Sequence, residues 1–189
     1  MGSDLASRGT DRGGRAARVL WAVTAATLWL SGIGTAPAGA HPLDRVTPDR
    51  AGPIVRGETT MRELRAWFGA PTHRRTVRVG CERVVSAGWD GELRVYVSRS
   101  SPRIVGAILV RTRSIVSAEH GELRMHTGRG LRVGNSEARL RRLYPRSEPQ
   151  THAGHTHYRL RTGADGGYLM AKVVDGEVVQ LEVWPYEFC

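Results

Sequence analysis

The segment Thr151 to Tyr158 reads THAGHTHY and places His152, His155 and His157 in H-x-x-H-x-H spacing. In an extended strand, side chains two apart share a face, so His155 and His157 would point the same way and a loop could bring His152 round to them. Imidazoles gathered in this way could ligate zinc or copper. No carboxylate or cysteine nearby completes a recognisable ligand set. A polar, histidine-rich loop entering a strand accounts for the same residues, and its protonation below about pH 6.5 would tune binding. A second copper chemistry would arise if processing after Ala40 exposed His41, whose amine and imidazole chelate together; the neighbouring Pro42 argues against it.

Other reactive groups are sparse. The two cysteines, Cys81 and Cys189, lie in no C-x-x-C pair. Exported into an oxidising compartment they are expected to form one disulfide, stabilising by about 4 to 5 kcal/mol for a loop of this length before strain is subtracted. There is no G-x-S-x-G elbow and no H-E-x-x-H helix, and the carboxylates are scattered, so no catalytic site is expected and the protein reads as non-enzymatic. Arg139, Arg141, Arg142 and Arg146 crowd one segment and could meet an anionic envelope polymer or lipid headgroups, although an ordinary solvated helix face is the favoured explanation. Trp89, Tyr96 and Trp184 fall on predicted strands, where they serve as core or, on an open sheet face, as anchors for a protein partner.

The elements that position these residues begin with an export signal. Met1 to Ala40 combines basic residues at Arg8, Arg12, Arg15 and Arg18, an apolar run from Val19 to Leu30, and small residues ending Ala38-Gly39-Ala40. That order is a cleavable signal peptide, which makes the chain secreted or extracytoplasmic with no membrane span after processing. Loss of these four arginines and of Asp4 and Asp11 lowers the formal charge from +10 to +8. Export weighs against nucleic acid as the partner of so basic a chain. Residues 41–53 carry Pro42, Pro48 and Pro53 among polar residues and are expected to form a flexible lead.

An internal correspondence follows. Thr60 opens TMRELRAWF and Ser136 opens SEARLRRLY, with apolar side chains four, seven and eight places on in each. Those spacings fall on one helical face, with Thr60 and Ser136 as N-caps and Glu63 completing a capping box. After each helix come three strand-like segments separated by turns that include Asp90-Gly91, Asp165-Gly166 and Asp175-Gly176. The expectation is an α+β fold of two αβββ repeats with antiparallel sheets and helices packed on one face. Residues 54–111 form the first repeat, 112–129 a connector or extra strand, and 130–189 the second repeat.

Gly57-Glu58-Thr59-Thr60 followed by a short helix and Gly-Ala-Pro, with Gly134-Asn135-Ser136 opening the second unit, resembles the outer-membrane small lipoproteins of the SmpA/OmlA type. Two such units in an exported chain resemble the β-lactamase inhibitor protein architecture, in which paired repeats join their sheets into one concave surface. The resemblance implies architecture alone, since no inhibitory contact residue can be carried over. The functional expectation is a secreted, non-enzymatic protein that engages a protein or an anionic envelope partner through a sheet surface. The alternatives are a histidine-dependent metal-binding protein and a structural envelope protein.

Overall fold

The computed structural model describes residues 42–99, 102–152 and 154–185. After a 3-10 turn at Pro42–Asp44 come β1 (Arg45–Val46), β2 (Arg50–Ala51), β3 (Ile54–Val55) and α1 (Met61–Phe68). There follow β4 (His73–Val79), β5 (Glu82–Trp89), β6 (Leu93–Val97), β7 (Val105–Val110), β8 (Ile115–Ser117), β9 (Gly121–Leu123) and β10 (His126–Thr127). The last elements are α2 (Glu137–Leu143), β11 (Pro149–His152), β12 (His155–Thr162), β13 (Tyr168–Val174) and β14 (Glu177–Trp184). The segment Met1–Ala40, read above as a signal peptide, lies outside the described residues, as does Cys189. No described helix is long and apolar enough to cross a membrane.

One sheet dominates. Its eight strands run β11-β12-β13-β14-β7-β6-β5-β4, every neighbour antiparallel. Two four-stranded meanders thus meet along a seam at which Leu181, Glu182 and Val183 pair with Val110, Leu109 and Ile108. The hairpin turns follow local chemistry. Asp90-Gly91 and Asp175-Gly176 have φ of 44° and 76°, and of 50° and 75°, the doubly positive pattern that aspartate and glycine tolerate and that matches strand twist.

The first face of this sheet carries Ala87, Trp89, Leu93, Val95, Ile108, Leu169, Ala171, Leu181 and Val183, all buried in one hydrophobic cluster. Burying each valine, leucine or isoleucine among them stabilises by about 1.5 to 3 kcal/mol. The same cluster takes Met61 and Leu64 from α1, Leu140 from α2, and Val46, Ala51 and Ile54 from the N-terminal strands. Thr60 caps α1: its side chain accepts from Glu63 N, while the Glu63 carboxylate accepts from Thr60 N at 2.7 Å. Ser136 caps α2 in the same way, accepting from Arg139 N at 3.3 Å.

The expected α+β class of two αβββ repeats does not hold: the fold is mostly β. The helices are only eight and seven residues long, too short to make a layer over eight strands. Within the large sheet, two strands add to the expected set. β4 reads HRRTVRV and is exposed at most positions, so it lacks the apolar alternation that marks a strand; it forms because β5 supplies hydrogen bonds along its whole length. β11 pairs with β12 over four residues of a segment read as a loop.

The flexible lead expected at 41–53 is also corrected. Val46 and Ala51 are buried, and β1 pairs with β2 and, in parallel, with β10, so this segment belongs to a second sheet ordered β10-β1-β2-β3. Arg56 ties the region to the β12–β13 turn through an ion pair with Asp165. The connector 112–129 holds three short strands, β8 and β9 as a hairpin plus β10.

Candidate functional site

The second face of the large sheet carries the candidate site. Register places Arg94, Leu109, Glu182, Met170 and Arg159 in one row across β6, β7, β14, β13 and β12. Beside it runs Arg75, Ser86, Tyr96 and Ala107 across β4 to β7. Tyr96 and Trp184 stack with ring centroids 5.6 Å apart and planes 27° apart. They reach each other from strands on either side of β7, and Ala107, fully buried opposite Tyr96, presents only a methyl group between them.

Under this pair lies a polar network. Glu182, 4% exposed, accepts from Gln180 Nε2 and from Trp184 Nε1, both at 2.6 Å. Gln180 in turn accepts from Arg111 Nε at 2.6 Å. His157 Nδ1 lies 3.6 Å from Glu182 Oε1. A buried carboxylate is costly unless hydrogen-bonded, and here Gln180 and Trp184 supply the donors from positions two residues away on the same strand and face. Burial and then the neighbouring Arg94 charge lower the Arg111 pKa, without removing its proton at any ordinary pH. Tyr168 is raised first by burial, against the lowering effect of Arg159, whose guanidinium sits 4.9 Å from its ring centre. The face continues into a shallow pocket of about 320 Å³ lined by His73, Arg74, Arg75, Ser86 and Arg94.

The residues singled out in the sequence are distributed unequally. Tyr96 and Trp184 come together on the second face. Trp89 does not join them: it is 7% exposed on the first face, packs against Phe68 at 6.0 Å and donates from Nε1 to Gly69 O at 3.1 Å. It is a core residue, because alternation along β5 sends it to the side opposite Ser86.

The histidines are split. His152 pairs in register with His155, which is exposed, while His157 is buried beside Glu182. Among the described residues no group of three or more His, Cys, Asp or Glu is placed to hold a metal ion. Cys81 stands in the exposed β4–β5 turn and is not a free thiol. Its expected partner Cys189 lies outside the described residues.

The arginine group is dispersed as well. Arg141 donates to Glu137 Oε1 at 2.8 Å and to the Tyr158 hydroxyl at 2.9 Å, while Tyr158 donates to Glu137. Arg139 and Arg142 are exposed, and Arg146, past the end of α2, stands in the wall of a separate cleft. The Arg111–Gln180–Glu182 chain was not anticipated. Alternation in β14 could have aligned Gln180, Glu182 and Trp184, but an irregularity at Val173, which pairs with Val178 while Lys172 pairs with Gln180, puts Val178 rather than Val179 in the core.

No family model matches the chain, and no curated protein does. Among solved structures, an extracellular protein containing a SCP domain from Bacillus anthracis aligns at 10% identity and a TM-score of 0.40, over 69% of this chain. The alignment spans 43% of that protein's length.

Proposed function

We propose that this is an exported, non-enzymatic binding protein whose partner, a protein with an acidic contact surface, docks on the second face of the large sheet. The observation that carries this is the stacked Tyr96–Trp184 pair, held over buried Glu182 and Gln180, to which the exposed Arg111 donates. Rigid, half-buried aromatics supply large contact area at little cost in side-chain entropy, and binding energy concentrates on such residues. Around them Arg75 and Arg94 set a basic rim suited to orienting an acidic surface during approach.

The test is position-specific photocrosslinking at the native culture surface. A crosslinking residue at position 94 should give one discrete adduct that disappears in Trp184→Ala, while one at position 62, on the exposed side of α1, should give none. Equal labelling from both positions, or no adduct from position 94, would count against the proposal.

A further inference from the structure

A cleft of about 900 Å³ opens where β1, the end of α2 and β12 meet. Arg45, Arg129, Arg146, Arg159 and Arg161 all line it, and no acidic residue does. None of these arginines has a carboxylate partner among the described residues, whose arginine–carboxylate pairs are Arg56–Asp165 and Arg141–Glu137. Guanidiniums gathered without counter-charge repel one another, and an anion that bridges them relieves this.

We propose that this cleft binds a phosphate-bearing polyanion through Arg45, Arg129, Arg146 and Arg161. Guanidinium forks match phosphate oxygens two at a time, and charge-assisted bonds of this kind are the strong ones. Part of the site is preorganised. Arg129 donates to Leu143 O at 2.6 Å and lies 5.2 Å from the Tyr144 ring centre, so its head is fixed at the cleft wall. Arg159 is committed to stacking on Tyr168 and supplies background charge.

The cleft volume suits several linked phosphates rather than one. Arg129 already occupies a face of Tyr144, which removes a stacking platform for nucleobases. A bilayer surface fits poorly: the one exposed large hydrophobic side chain among the described residues, Val116, does not line the cleft. This site does not depend on the Tyr96–Trp184 face, and its failure would leave that proposal standing.

The test is calorimetric titration of the purified chain with tripolyphosphate, orthophosphate, sulfate and phosphatidylglycerol vesicles at matched ionic strength, with thermal unfolding in the three soluble anions. Tripolyphosphate should raise the unfolding temperature and bind at least about tenfold more tightly than either single anion, as expected when several charged hydrogen bonds form together. Arg146→Ser and Arg161→Ser, both exposed and therefore neutral to folding, should each weaken binding about five- to tenfold, with Arg161→Lys recovering part of the loss. Arg139→Ser and Arg142→Ser, on the helix, should change it less than about twofold. Equal losses from the helix variants, no preference for tripolyphosphate, or binding seen only with phosphatidylglycerol vesicles would each overturn the site.

Discussion

Ala107 shows how one small side chain shapes the candidate site. Tyr96 and Trp184 belong to strands separated by β7, and only a methyl group at the intervening position lets their rings meet. Ala107→Leu should drive the rings apart, destabilise the fold by about 1 to 3 kcal/mol through overpacking, and abolish the adduct formed from position 94. Denaturant titration and crosslinking read the two effects separately.

Glu137 makes a second prediction at this scale. The hydrogen bond from Tyr158, and then that from Arg141, hold its carboxyl below the ordinary 4.5. A carboxyl depressed by folding contributes stability above its unfolded-state pKa and loses it as pH falls through the folded value. Urea unfolding at pH 7, 5 and 3 should therefore show the parent chain losing more stability on acidification than Glu137→Gln. Glu63 and Asp165 are depressed too, the first mainly by the Thr60 backbone N–H and the second by Arg56, so part of the acid loss will persist in the variant.

At the scale of elements, both helix starts and the Asp-Gly hairpin turns were legible because their signals are local: a hydroxyl cap, a nearby carboxylate, an aspartate–glycine pair. Strands β5, β13 and β14 were legible for the same reason, each being an apolar run bounded by turn residues. β4 was not. An edge strand with one neighbour buries little, so its sequence keeps charge where a central strand keeps valine. Its exposed arginines at 74, 75 and 78 also guard an unpaired edge. Arg74→Val combined with Arg78→Val should leave the fold intact but promote edge-to-edge association, seen as a concentration-dependent mass increase in sedimentation velocity.

For the whole molecule, the β7–β14 seam is decisive. Leu181 and Val183 are fully buried where the two meanders join, so the core runs unbroken from β12 to β5. Unfolding should be a single cooperative transition, and Leu181→Ala should lower stability by about 2 to 5 kcal/mol without splitting it in two. Calorimetry on the parent and the variant checks both statements. Two separate transitions would mean that the halves hold together more weakly than their shared core implies.

The sequence by itself determined what depends on neighbours within a few residues: where helices start, where hairpins turn, which strand segments are apolar, and that Tyr96 and Trp184 lie on strands. Tertiary structure decided the rest, because it depends on pairings between residues far apart in the chain. Trp89 went to the core through strand parity; the polar segments 73–79 and 149–152 became strands because a neighbour offered hydrogen bonds; and the segment read as a flexible lead was ordered by β10, some eighty residues away. Arg111 reached Gln180, and Arg45 came to share a cleft with Arg129 and Arg161, only through the closed fold. Charge counts and local spacing carry no record of such encounters, which exist once the sheets have paired.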